Sequence, residues 1–170
     1  PGTRCLLNPG SFRTSSSMKQ KLVNGHFTFS FDKDFSRVIQ FCAEVKRKQE
    51  SGTWITPAMI AAYTGLHTLG LAHSVEVWHE NRLAGGLYGV SLGKAFFGES
   101  MFHLVNDASK AALYYLCTKL AEKGFHFIDA QLPTPHLLSL GAYAVSRDEY
   151  IRLLKKALEA DTIRGSWNQF

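Results

Sequence analysis

The sequence predicts an α+β domain built on a mixed, mostly antiparallel sheet flanked by helices. Three observations lead there. Between Ser74 and Gly98 three strand-like runs follow one another, separated only by Glu80-Asn81-Arg82 and Leu92-Gly93, which is hairpin spacing. Two stretches with helical apolar spacing precede this block, and a helix, a strand, a short helix, a strand and a last helix follow it. With 170 residues, 45% of them hydrophobic and 19% charged, the chain suits one folded domain able to bury a core.

Each element has a local reason. The opening, from Asn8-Pro9-Gly10 to Ser15-Ser16-Ser17, is rich in turn formers and reads as loop, with one short strand near Thr3 to Leu7. From His26 to Phe31 the chain alternates, with Phe27, Phe29 and Phe31 on one side of a half-buried strand. Asp32 or Asp34 can then cap a helix running toward Gln49 that carries Phe35, Val38, Ile39, Cys42 and Val45, and Ser51-Gly52 ends it. Thr56-Pro57 is a cap followed by proline at the first helical position, and Met59, Ile60, Tyr63, Leu66 and Leu69 complete a second helix stopping near Gly70. The meander comprises Ser74 to His79, Leu83 to Ser91 and Lys94 to Gly98. Within it Gly85, Gly86 and Gly89 cost backbone entropy and mark a bulge or a close approach. Asp107 or Ser109 starts a helix with Ala112, Leu113, Leu116 and Leu120, closed by Gly124. Phe125 to Ala130 is a strand, Pro135 to Leu140 a helical turn, Ala142 to Val145 a strand and Asp148 to Ala160 the last helix. This order matches an N-acetyltransferase-like architecture, whose splayed sheet receives an activated acyl donor. The expected organisation is a loop and strand remnant over 1–25, the acyltransferase-like domain over 26–160, and a tail over 161–170.

Composition narrows the function. No apolar run approaches bilayer-crossing length, and Pro1 to Ser17 lacks the apolar core of a signal peptide, so a cytoplasmic protein with no membrane contact is expected. Cys5, Cys42 and Cys117 are far apart and read as reduced core thiols; no Cys or His pair has zinc-ligand spacing, so no metal is expected. The net charge of +5 resides in residues 1–50, with nine Lys/Arg against four Asp/Glu. That asymmetry suits a polyanion, although Lys46-Arg47-Lys48 also complements a helix dipole. His67, His73, His103, His126 and His136 show no partner at catalytic spacing and read as structural or surface residues.

Two carboxylates stand out. Glu99, in Phe97-Gly98-Glu99-Ser100-Met101-Phe102, and Asp129, in Phe127-Ile128-Asp129-Ala130-Gln131, follow apolar strand-like runs, where an ionised group needs a partner. Strand ends in α/β domains open onto ligand crevices, so that partner can be a substrate, or else a helix cap or a nearby Lys.

The chain resembles the leucyl/phenylalanyl-tRNA–protein transferase family through Gly52-Thr53-Trp54-Ile55-Thr56, His73-Ser74-Val75-Glu76-Val77-Trp78, Gly85-Gly86-Leu87-Tyr88-Gly89, Gly98-Glu99-Ser100-Met101-Phe102, Ala108-Ser109-Lys110, Ile128-Asp129-Ala130-Gln131 and Ser139-Leu140-Gly141-Ala142. These motifs occur in order over about residues 52–150. The resemblance implies transfer of Leu, Phe or Met from aminoacyl-tRNA to the N-terminal Arg or Lys of an acceptor protein, marking it for N-degron degradation. It implies no cofactor and a monomer. It places Asp129 and Gln131 at the reaction centre and Trp54, Tyr63, Leu87, Gly98, Glu99, Ser100 and Met101 around the aminoacyl-adenosine end; Glu99, also a candidate catalytic residue, can pair with the donor's α-ammonium or with the acceptor's Arg or Lys. An apolar cup with Leu87 and Met101 rejects charged side chains, and Trp54 offers a stacking face for the terminal adenine. Gln131 is too weak a base to remove a proton and is expected to hydrogen-bond the amine or carbonyl. Asp129 can act as base, orient Gln131 or attract the acceptor's cation.

Family members carry a Trp-rich approach to a Pro-x-Arg turn, whereas this chain starts at that turn, with Pro1-Gly2-Thr3-Arg4. Its basic face is thinner, leaving Arg4, Lys19 and Lys21 as weak tRNA contacts that added salt weakens further. The rival enzyme class is an acetyl-coenzyme A N-acyltransferase, but Ser100 to Asn106 lacks the glycine a pyrophosphate turn needs. The rival without catalysis is a module that binds tRNA or protein N-termini, against which the presence of both Asp129 and Gln131 counts.

Overall fold

The computed structural model describes residues 2–24, 26–44 and 55–170; Trp54 and Lys46-Arg47-Lys48 lie outside them. The elements in chain order are β1 (Thr3–Leu7), α1 (Ser16–Val23), β2 (Thr28–Phe31), α2 (Phe35–Glu44), α3 (Pro57–Thr68), β3 (Ala72–His79), β4 (Arg82–Leu92), β5 (Ala95–His103), α4 (Ala108–Glu122), β6 (Phe127–Gln131), α5 (Pro135–Ser139), β7 (Tyr143–Ser146) and α6 (Arg147–Leu158). Among the described residues seven strands form one sheet in the order β2-β3-β4-β5-β6-β1-β7. Among the described residues only β5 and β6 pair in parallel, and the other neighbours are antiparallel. The expected α+β class and the β3-β4-β5 meander are therefore observed.

Both faces of the sheet are covered. Val75, Val77, Leu87 and Phe96 pack under α4 through Leu113, Leu116 and Leu120. On the opposite face Tyr88 and Phe102 meet Phe35, Val38 and Ile39 of α2, and Leu6, Ala95 and Phe127 meet Ala157 of α6. The three cysteines are buried in these layers and none is in a disulfide. Among the described residues no helix is long and apolar enough to cross a membrane.

Three expectations need correction. The Ser15-Ser16-Ser17 stretch does not stay in a loop: the Ser15 hydroxyl accepts from the Met18 N–H at 3.2 Å and starts α1, whose Met18 is 5% exposed. The short strand expected near Thr3 to Leu7 is observed as β1, which lies inside the sheet between β6 and β7. Strand β5 does not end at Gly98 but continues to His103, because Tyr88 faces Ser100 while Gly89 faces Gly98, leaving Glu99 as the extra residue of a bulge. The three strand glycines mark close approaches; a Cβ at Gly89 would lie 2.2 Å from the Phe97 carbonyl oxygen.

The residues expected as a tail are the third correction. Trp167 is 1% exposed, stacked on His73 with ring centroids 3.7 Å apart and on Phe170 at 4.3 Å. Asp32, which does not cap α2, holds this segment instead. Its carboxylate accepts from the Trp167 N–H at 2.7 Å and the Ser74 N–H at 3.0 Å, and lies 2.9 Å from His73 Nδ1. Asp34 is the side chain at the start of α2, accepting from the Arg37 N–H at 3.3 Å.

Burial alone would raise the Asp32 carboxyl, but the hydrogen bonds from His73 and the Trp167 N–H outweigh it and hold it below its ordinary 3.8. The unfolded chain takes up that proton first as pH falls. Stability contributed by Asp32 is thus fully present above about pH 4 and is lost as pH drops through the folded value. Asp32→Asn is expected to lower the urea midpoint at pH 7 and to shrink its change between pH 7 and pH 3; an unchanged acid dependence would refute this account.

Candidate active site at the β5–β6 opening

The parallel pairing of β5 with β6 covers Ala95 with Phe127, Phe96 with Ile128 and Phe97 with Asp129. Beyond that pair a side chain takes over: Gln131 Nε2 donates to the Gly98 carbonyl at 2.9 Å and lies 3.3 Å from Glu99 Oε2. The strands part at their C-terminal ends, the place where sheets containing parallel strands admit ligands. Two acceptors beside Nε2 fix which end of the Gln131 amide is nitrogen and free Oε1 to accept from a bound donor. Gln131 has φ of 66°, an uncommon left-handed conformation for a residue with a side chain.

Asp129 is fully buried, and its carboxylate is saturated. Arg4 Nε donates to both oxygens at 2.9 Å, the Tyr150 hydroxyl to Oδ2 at 2.8 Å, and the Gln131 N–H to Oδ1 at 2.9 Å. Burial, then the neighbouring Asp129 charge, pushes the Tyr150 phenol up to about 12, so it stays a protonated donor at neutral pH.

Glu99 differs. The bulge places it where desolvation raises its carboxyl, more than hydrogen bonds from Tyr63 and Gln131 lower it. The same desolvation, with the Glu99 charge, raises the Tyr63 phenol. Asp129 therefore holds a guanidinium from within the protein, while Glu99 is supplied mainly with neutral donors.

Two cavities reach Glu99. One of about 730 Å³ has Leu87, Met101, Leu113, Leu116 and Ile128 in its wall and Gly98, Ser100, Glu99 and Gln131 at its polar side. The other, of about 430 Å³, holds Tyr63, Phe97 and Arg4 together with Leu66 of α3. Thus the structure brings together Asp129, Gln131, Glu99, Leu87, Gly98, Ser100 and Met101, and sets Tyr63 on the far side of Glu99. Arg4 is turned inward onto Asp129. Lys19 is exposed on α1, whereas Lys21 pairs with Asp107, which also meets Lys110 at 3.2 Å.

Sequence reading missed Tyr150 and the role of Arg4, which no local pattern carries. It read Leu113 and Leu116 as helix core; they are core and cavity wall at once, and their apolar spacing could not separate the two. Among the described residues no group of three or more His, Cys, Asp or Glu is placed to hold a metal ion. His136 lines the larger cavity and is held toward its neutral form by burial and by Lys110.

A sheet that is antiparallel up to one splayed parallel pair, with helices on both faces, is an N-acetyltransferase-like fold. Among solved structures, L-PGS from Bacillus licheniformis shares this fold with a TM-score of 0.50 at 12% identity, over 97% of this chain and 58% of that one. An aminoglycoside acetyltransferase from an uncultured soil metagenomic sample gives 0.48 at 13% identity, over 81% and 90%. The sequence places the chain more narrowly. Residues 6–155 match the family model described as leucyl/phenylalanyl-tRNA protein transferase. The chain is 49% identical over 169 residues to the transferase of that name from Thermodesulfovibrio yellowstonii, covering 99% of this chain and 69% of the relative. It is 48% identical over 168 residues to that of Legionella pneumophila strain Corby, covering 99% and 75%. The chain belongs to the leucyl/phenylalanyl-tRNA–protein transferase family, a family of aminoacyl-transferring enzymes.

Proposed function

We propose that this chain moves Leu, Phe or Met from aminoacyl-tRNA to the N-terminal Arg or Lys of a cytoplasmic acceptor protein, marking it for N-degron degradation. The observation that carries this reading is the Glu99–Gln131 pair at the mouth of a large apolar cavity. The cavity suits an uncharged side chain, since a charged one would lose hydration without compensation.

The reaction is aminolysis of an ester. The acceptor's α-amine attacks the carbonyl carbon, the bond to the terminal ribose oxygen breaks, and the proton lost by the amine ends on that oxygen. The ester is already activated, so alignment and a neutral amine are what the site must supply. An ordinary α-amine titrates near 7.7–8.0, so a useful neutral fraction exists without a strong base. Gln131 Oε1 then accepts from the amine and holds it for attack. Glu99, poorly supplied with cations and desolvated, attracts the acceptor's guanidinium or ammonium. Asp107 argues against the acetyl-coenzyme A reading: a carboxylate stands at the N-terminus of α4, where a pyrophosphate would have to bind.

The test is transfer of labelled Leu, Phe and Met from their tRNAs to a model protein beginning with Arg, with an N-acetylated copy as control. Transfer to the free N-terminus alone is expected. Glu99→Gln is expected to raise the acceptor KM about tenfold while leaving the donor KM within twofold. Folded protein that transfers nothing would overturn the proposal.

A further inference from the structure

Four acceptor positions on Asp129 are occupied by the protein itself: two by Arg4 Nε, one by Tyr150 and one by the Gln131 N–H. A carboxylate so occupied has no position left for a substrate. It can, however, hold its neighbour. Gln131 adopts φ of 66° at the end of β6, and its N–H is anchored by Asp129 Oδ1 while its side-chain amide bridges to Gly98 and Glu99. Such a conformation persists only when its surroundings over-determine it. Arg4 comes from β1 and Tyr150 from α6, so two elements outside the β5–β6 motifs converge on one carboxylate.

From this convergence we infer that Arg4 and Tyr150 are positioning residues for transfer: they clamp Asp129, which fixes Gln131 where its Oε1 meets the acceptor amine. The inference rests on the transfer reaction proposed above. Arg4 supplies charge and two-oxygen geometry; its Cζ also lies 5.6 Å from the centre of the Tyr150 ring, so the two clamping groups brace each other. Tyr150 supplies direction, as a neutral phenol that donates to Oδ2 alone.

Kinetics with leucyl-tRNA and an Arg-initiated peptide test this. Arg4→Ala is expected to lower kcat roughly thirtyfold and Tyr150→Phe roughly fivefold, both with donor KM within twofold of wild type. Millimolar guanidinium should restore part of the Arg4→Ala loss but none in the Arg4→Ala, Asp129→Ala double variant, which should be no slower than Asp129→Ala alone. Tyr150→Phe removes a single oxygen and decides the matter if Arg4→Ala does not fold. Wild-type protein that transfers nothing overturns the reaction and this inference with it. Wild type that transfers, with folded variants that keep its kcat or whose losses multiply with that of Asp129→Ala, overturns the clamp alone.

Discussion

A Gly98→Leu variant is expected to fold like the wild type and to lose transfer of Leu and Phe by at least a hundredfold in kcat/KM. The reason is local space. An added Cβ at Gly98 meets only the Asp129 carbonyl oxygen at 3.5 Å and Ile128 Cγ2 at 4.0 Å, both ordinary contacts, and Gly98 is not in a conformation reserved for glycine. The rest of a leucine side chain would enter the 730 Å³ cavity, of which Gly98 is part of the wall. Its Ile128 and Leu116 walls would accept that apolar bulk, so stability should change little while the donor's side chain is excluded. Gly89, nine residues earlier on the neighbouring strand, makes the contrast. There a Cβ would lie 2.2 Å from a backbone oxygen and 2.5 Å from the Phe96 ring, so even alanine should disrupt β4. Thermal melts alongside transfer assays check both halves; a Gly98→Leu protein that still transfers Leu at the wild-type rate would show that this cavity is not the aminoacyl cup.

The second large effect concerns stability. Trp167→Ala is expected to cost about 3–5 kcal/mol, the usual range for an aromatic truncated in a core, against a total of roughly 5–15 kcal/mol for a domain. The melting temperature should fall by on the order of 10 °C. The indole stacks on His73 and Phe170, meets Phe31 edge-on at 5.8 Å and Phe125 at 6.0 Å, and donates through Nε1 to the Ile163 carbonyl. Its removal leaves a hole between the sheet and the C-terminal segment and strips His73 of its stacking partner. Trp167→Phe should lose less, because one ring remains in contact. A loss under 1 kcal/mol for the alanine variant, measured by urea unfolding, would mean that the segment 161–170 contributes little to the fold.

The sequence and the structure agree where short-range rules act alone. The β3-β4-β5 meander was legible from its alternation and its two tight connections, and α3 from Thr56-Pro57, whose threonine does accept from the Met59 N–H at 3.3 Å. Rules that competed at one position went the other way. The Ser15-Ser16-Ser17 stretch satisfies turn and N-cap preferences equally, and burial of Met18 decided for the helix. The segment holding Trp167 has no period to read, since one aromatic docked by a single buried carboxylate leaves no trace in spacing.

The candidate site divides the same way. Its cup residues Leu87 and Met101 were named only through the family resemblance, whereas its two carboxylates and the Gln131 amide were legible in two strand motifs. Their roles were not. Sequence alone left Asp129 free to be a base, an orienting group or an attractor of cations, and counted Arg4 among the tRNA contacts. The folded chain brings Arg4 from β1 and Tyr150 from α6 onto Asp129 and leaves Glu99 mainly with neutral donors, so two carboxylates alike in sequence become a clamped anchor and a group seeking a cation. Residue type sets what a side chain can do; partners 125 and 21 positions away, which only tertiary packing supplies, set which of those things it does.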